Sequence, residues 1–195
     1  DDMFSNNDQI SLVSRFPELV HSHFKGNMNA ICWFRNLVGD FKEIVDKLEL
    51  DENITEVSIQ DLLALELTQN GQLAREIILK DIQFLTDFGA SPSLNLLKNY
   101  GRDNELDFIS TDLYSVHVDR SPIETDTFLC TYHGASSDII ANDQVKQKIL
   151  IPEIKAKLKE LHDGSDAEFD EFLEEIWQTS LISHQQFPLP FSNCQ

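Results

Sequence analysis

The sequence lacks the features that define several large classes of protein. No stretch of its 195 residues approaches the roughly 20 consecutive apolar residues of a membrane span, and no signal peptide is visible. The three cysteines, Cys32, Cys130 and Cys194, are far apart and form no CxxC pair, unlike a disulfide framework or a zinc finger. A glycine-rich phosphate loop, a GxSxG elbow and an HExxH helix are also absent. We therefore expect a cytoplasmic protein, although a first residue of Asp1 rather than Met is compatible with a missing upstream segment.

Basic residues are scarce. Only 15 Lys and Arg stand against 34 Asp and Glu, which gives a formal net charge of −19. Such a surface repels phosphate backbones and anionic membranes, so we expect no nucleic-acid partner and no membrane partner. The segment 160–176 contains eight Asp and Glu and no Lys or Arg. A solvated helix face is the simpler interpretation of this segment, and a docking surface for a basic protein partner is the alternative.

Hydrophobic spacing predicts mainly helices over residues 1–105, although 29–38 fits a strand or a helix equally well. Ser58 is a candidate N-cap, Gly89 a candidate helix stop, and Ser91-Pro92 the predicted start of a further helix. The predicted helical stripes are Phe41, Ile44, Val45 and Leu48 in one segment, and Leu73, Ile77, Phe84 and Phe88 in another, with Ile78, Ile82 and Leu85 beside them.

The pattern changes at about residue 106, where β-branched and aromatic residues become frequent. The predicted strands lie near 113–119, 126–133, 137–141 and 179–185. Helices are predicted between them, at 143–150, at 152–162 and around a stripe of Phe169, Phe172, Leu173 and Ile176. We therefore expect an α+β protein with a single domain over 1–195, divided into a mostly helical part (1–105) and a β-rich part (106–195) with inserted helices at about 143–176.

His117 and Asp119, separated by one residue, are candidate metal ligands. Alternate residues of a strand project from the same face, with Cα atoms roughly 6.6–7 Å apart. From that distance an imidazole and a carboxylate can converge on one ion at about 2.0–2.2 Å. The simpler alternative is a pair of polar residues on the exposed face of a strand, because the His-x-Asp spacing alone has low specificity.

A third ligand would complete the site. His184, in the strand-like part of the tail, is the preferred candidate, and His133, which precedes Gly134, is its rival. Two histidines and one carboxylate form the facial triad that usually holds non-heme Fe(II) and leaves positions open for substrate and oxygen. Zn(II) is the alternative ion. Cys130 is more simply a small core residue than a nucleophile that His117 and Asp119 activate.

Residues 116–134 also carry a resemblance to a known family. The string "HVD" followed by "FLCTYHGASSDII" resembles a bacterial family of domains of unknown function, and the resemblance extends weakly to "NAICWFR" and "LKDIQFL". That family looks related to the cupin-like, double-stranded β-helix proteins that include Fe(II)/2-oxoglutarate oxygenases. Its genes often lie in zinc-responsive neighbourhoods. The resemblance therefore implies a cupin-like small barrel or sandwich with a role in metal homeostasis or in oxygenase-like chemistry on a small-molecule substrate.

The end of the chain departs from the pattern of such proteins, which usually close on a strand with His-Arg-Ser-Pro or similar. A basic residue placed there holds the carboxylate of 2-oxoglutarate. Here "SHQQFPLPF" keeps His184, but no Lys or Arg follows it. We therefore expect a mononuclear metal-binding, cupin-like protein that does not use 2-oxoglutarate. The alternative is a non-catalytic metal-handling or protein-interaction protein with an incomplete ancestral site.

Overall fold

The computed structural model describes residues 9–49, 52–99, 106–109, 125–162, 164–165, 168–169 and 171–173. These residues form a mixed α+β structure with two small sheets and several helices, which confirms the predicted class. They divide into two compact units. The first contains the described residues up to Lys98 together with Phe128–Asp138, and the second contains the described residues of Asn99–Thr127 and those from Ile139 onwards.

The described part of the chain contains four strands and five α-helices. The strands are β1 (Ile10–Val13), β2 (Ala30–Trp33), β3 (Ile54–Glu56) and β4 (Asn95–Leu97). The α-helices are α1 (Phe16–His21), α2 (Phe41–Lys47), α3 (Ile59–Ala64), α4 (Gln69–Phe88) and α5 (Pro152–Leu161), and short 3-10 helices span Asn142–Gln144 and Lys148–Leu150. Within these ranges, no helix combines the length and the apolar character that crossing a bilayer requires.

β1 and β2 form a parallel pair, with Ile10 opposite Ala30 and Val13 opposite Trp33. A parallel pair needs a crossover connection rather than a tight turn, and α1 lies in that connection. The ambiguous segment 29–38 is therefore a strand at its start. Cys32 on β2 is buried and disulfide-bonded, which the wide separation of the cysteines did not predict.

The core of the first unit lies between α2, α3 and α4. Its buried side chains are Phe41, Ile44, Val57, Leu62, Ala74 and Ile78. The predicted helix around 41–48 and the predicted cap at Ser58 are confirmed, and Ser58 forms a full capping box with Asp61. Gly89 ends α4 in the left-handed conformation, as its position in the sequence predicted.

Glu43 joins α2 to the start of α4. Its carboxylate accepts hydrogen bonds from the Lys47 ammonium (2.8 Å), the Thr68 hydroxyl (2.6 Å) and the Thr68 backbone N–H (3.0 Å). These hydrogen bonds lower the pKa of Glu43 from 4.5 to about 2, and the bond from Lys47 has the largest effect. The two helices approach closely here, because a Cβ on Gly39 would lie 2.6 Å from the backbone nitrogen of Ala74.

The prediction of a helix after Ser91-Pro92 was wrong. The segment instead forms β4, which pairs antiparallel with β3, with Leu97 opposite Ile54. Leu94 and Leu96 pack on the core, whereas Asn95 and Leu97 are exposed. This alternation has the period of a strand, and the edge of β3 supplies the backbone hydrogen bonds that a local helix prediction does not consider.

The predicted strands at 126–133 and 137–141 were also wrong. The structure describes residues 125–141, and no strand occurs among them. Their composition favours a strand, but β-propensity depends on a neighbouring edge to pair with. The part from 128 to 138 is held by side chains instead: Tyr132 packs on Phe41 with ring centroids 5.6 Å apart. The other predicted strands, 113–119 and 179–185, lie outside the described residues.

The second unit has a small core of its own. Leu158 on α5 packs with Phe169 and Leu173, and Phe108, Ile149, Ile154 and Phe172 surround them. The predicted helix at 152–162 is confirmed, with Pro152 in its first turn. The predicted helix at 143–150 is reduced to the two short 3-10 helices. Residues 169 and 171–173 are helical, in agreement with the predicted stripe.

Candidate functional site

The three preferred metal ligands, His117, Asp119 and His184, lie outside the described residues. The rival ligand, His133, is described: its side chain is exposed in a bend that continues into Gly134, where φ is +93°. Across the ranges that the structure does describe, no group of three or more His, Cys, Asp and Glu side chains could hold a metal ion.

The first unit instead contains a polar cluster centred on Asp81, a buried carboxylate on α4 that is 8% exposed. Arg35, which follows β2, reaches it with both terminal nitrogens. Nη1 donates to Oδ1 at 2.7 Å, and Nη2 donates to Oδ2. This bidentate pairing matches the planar guanidinium to the carboxylate. It also compensates the charge of Asp81, which would otherwise be costly to bury.

Tyr132 and Cys130 complete the cluster from the segment 128–138. The Tyr132 hydroxyl donates to Asp81 Oδ2 at 2.8 Å, and Arg35 Nη2 lies 3.7 Å from Cys130 Sγ. The guanidinium carbon of Arg35 also lies 4.2 Å from the centroid of the Trp33 ring, within range of a cation–π interaction. Asp81 therefore connects β2, α4 and a segment that has no regular secondary structure.

The cluster keeps its hydroxyl and thiol protonated. Burial, reinforced by the nearby Cys130 and Asp81, raises the pKa of Tyr132. Burial also raises the pKa of the Cys130 thiol, and the neighbouring Arg35 offsets this only in part. Burial opposes the charge of Arg35, but its bonds to Asp81 prevail and raise its pKa. A neutral thiol is a poor nucleophile, but Cys130 is exposed, so the expectation that it is a small core residue was wrong.

A cleft of about 410 Å³ borders the cluster, and all of its lining residues belong to the first unit. Arg35 and Asp81 form one part of its wall. The apolar part of the wall is contributed by Phe16, Pro17, Trp33, Leu37, Ile77 and Phe84. Phe16 stacks on Phe84 with centroids 5.0 Å apart, and the Trp33 indole N–H donates to the Ser14 carbonyl at 3.0 Å, so both aromatic groups are fixed in place.

Two further cations line the cleft. Arg15 is paired with Glu18, which accepts from its Nε at 2.9 Å and its Nη2 at 2.6 Å. The Ser14 backbone N–H and then Arg15 lower the pKa of Glu18 to about 2. Lys80 is exposed, lies 5.4 Å from the centroid of the Phe84 ring, and forms no ion pair with a carboxylate of the described chain.

Sequence patterns did not identify the Asp81 cluster, because its contacts join residues that are 46 to 95 positions apart in sequence. No local motif connects Arg35, Asp81 and Tyr132, so only the folded chain brings them together.

Comparison with known proteins identified no relative: no family model, no curated protein and no solved structure matches the chain.

Proposed function

We propose that the protein binds one divalent metal ion through His117, Asp119 and His184. The observation that carries the proposal is the His-x-Asp spacing, which places an imidazole and a carboxylate on the same face of a predicted strand. His133 is the weaker candidate for the third ligand, because its neighbour Tyr132 turns inward to Asp81 while His133 itself is exposed in a bend.

The resemblance to the cupin-related family supports a cupin-like arrangement for the part of the chain that carries these ligands. Fe(II) is the ion that two histidines and one carboxylate usually hold, and Zn(II) is the alternative. In such a site the ion would act as a Lewis acid or as an activator of oxygen toward a small-molecule substrate. The reaction class that we propose is therefore oxygenase-like.

A non-catalytic role in metal handling or protein interaction is the second candidate, and a specific observation favours it. Residues 185–195, where the resemblance implies the usual basic partner for the carboxylate of 2-oxoglutarate, contain no Lys or Arg. In this alternative the acidic segment 160–176 would be the docking surface for a basic protein. Under either proposal, we expect the Fe(II)-loaded protein to release no succinate from 2-oxoglutarate above a metal-free control.

Metal content of the purified chain tests the proposal. The protein is stripped with a chelator, incubated anaerobically with Fe(II) or with Zn(II), desalted, and analysed for bound metal. We expect about one ion per chain in the parent protein and in His133→Ala, and loss of binding in Asp119→Ala and His184→Ala. His133→Ala is the matched control, and circular dichroism checks that each variant is folded. Full metal binding by Asp119→Ala, or none by the parent protein, would contradict the proposal.

A further inference from the structure

The cleft beside Asp81 is a partly open groove whose volume is sufficient for a small molecule. Its volume of about 410 Å³ lies within the range of roughly 300–1,000 Å³ that ligand pockets occupy. Its wall combines two stacked phenylalanines and a tryptophan with a few charged groups at defined positions. Planar aromatic rings pack well against such side chains.

The charged residues of the cleft favour a ligand with a negative charge. The lining residues include Arg15, Arg35 and Lys80 but only one carboxylate, Asp81. In a chain with 34 acidic and 15 basic residues, this local excess of cations is opposite to the charge of the molecule. Aromatic walls can also attract a cationic ligand, but such a ligand would be repelled by any of these cations that has no carboxylate partner.

The pairing of those cations indicates how many negative charges the ligand should carry. Arg35 is neutralised by Asp81, and Arg15 by Glu18. Lys80 alone among the cleft cations has no ion-pair partner within the described chain, and its ammonium lies over Phe84, next to the aromatic wall. A ligand with one negative charge beside a planar ring would match Lys80 and Phe84 together.

We propose that this cleft binds a small aromatic monocarboxylate, with its ring against Phe84 and Trp33 and its carboxylate at Lys80. The proposed site consists of residues of the first unit alone and uses none of the proposed metal ligands. It is therefore independent of the metal-binding proposal, and each can fail while the other holds.

Calorimetric titration of the full chain with three naphthalene probes of similar shape tests this inference. The probes are 2-naphthoate, the neutral 2-naphthalenemethanol and the cationic 2-naphthylmethylammonium. We expect 2-naphthoate to bind about threefold more tightly than the alcohol, since a contact with an exposed ammonium distinguishes them, and the ammonium probe to bind more weakly than either.

Two variants locate the binding. Lys80→Gln should lower the affinity for 2-naphthoate about threefold while leaving that for the alcohol unchanged. Lys25→Gln removes the same charge from an exposed residue that does not line the cleft, and is the matched control. Phe84→Leu should weaken binding of both the acid and the alcohol.

The inference is overturned if 2-naphthoate does not bind, if the three probes bind equally, or if Lys80→Gln and Lys25→Gln behave alike. Because Lys80 is exposed, its replacement should leave the fold intact, and a thermal melt of each variant verifies this.

Discussion

Removal of the Asp81 carboxylate should destabilise the first unit strongly. In Asp81→Ala, Arg35 loses both of its carboxylate acceptors and Tyr132 loses the acceptor of its hydroxyl. Breaking a buried ion pair on one side costs about 3–5 kcal/mol, because the remaining charge is left without a partner. The Arg35 side chain is 21% exposed and can recover some hydration, so we expect a loss near the lower end, about 3 kcal/mol.

Urea denaturation measures this loss. The chain has two tryptophans, Trp33 and Trp177, so in a Trp177→Phe background the fluorescence reports on Trp33, beside the cluster. We expect the midpoint of the transition to fall in Asp81→Ala while its slope stays the same, which identifies a change in stability rather than in compactness.

A double variant separates the ion pair from simple packing. Arg35→Met with Asp81→Leu removes both charges and keeps apolar volume, so it should be more stable than Asp81→Ala, as other buried pairs replaced by apolar residues are. Tyr132→Phe alone should cost only about 1 kcal/mol, the usual contribution of one hydrogen bond. If Asp81→Ala costs less than about 1 kcal/mol, or if the double variant is less stable than Asp81→Ala, the assignment of a buried, paired carboxylate is refuted.

Three further perturbations have defined outcomes. Gly39→Ala should lower stability by about 1–3 kcal/mol in thermal melts, because φ is +115° and the new Cβ would meet the Ala74 backbone. Gly89→Ala should cost only about 1 kcal/mol, because a Cβ at that position would meet no other atom. The folded-state pKa of Glu43 is about 2 against an ordinary 4.5, so its stabilisation is present above pH 4.5 and lost as pH falls toward 2. In Glu43→Gln this part of the pH dependence should disappear from unfolding curves, and an unchanged curve would contradict the pKa shift. Iodoacetamide at pH 7 should modify Cys130 more slowly than a cysteine in a short peptide, as measured by peptide mass spectrometry, because burial raises its pKa.

Helices, caps and stops could be predicted where the determining contacts are local. Ser58 and Asp61 lie three residues apart, so the capping box is visible in the sequence. The same holds for Gly89 at the end of α4 and for Pro152 at the start of α5. Strand predictions failed at 126–133 and 137–141 because a strand depends on a partner edge, which no local window contains.

The face that α4 buries could not be predicted from hydrophobicity alone. The expected stripe of Leu73, Ile77, Phe84 and Phe88 is the more apolar one, yet the buried side chains are Ala74, Asp81 and Ile78, of which only Ile78 was expected beside the stripe. At 100° per residue, the two stripes differ by roughly a quarter of a turn. Of the expected stripe, only Ile77 packs against the core, and it also lines the cleft together with Phe84. Leu73 and Phe88 are about two-fifths exposed.

The buried face of α4 carries Asp81, and that carboxylate is paired with Arg35 and accepts a hydrogen bond from Tyr132. In the observed orientation Asp81 meets both partners, and the small Ala74 allows the close approach of Gly39. A buried ion pair of this kind can fix which face of a helix packs on the core, at the expense of apolar burial that a more hydrophobic face would provide. Ile77, Lys80, Asp81 and Phe84 of α4 all line the cleft, so the polar cluster and the candidate ligand site share one side of this helix.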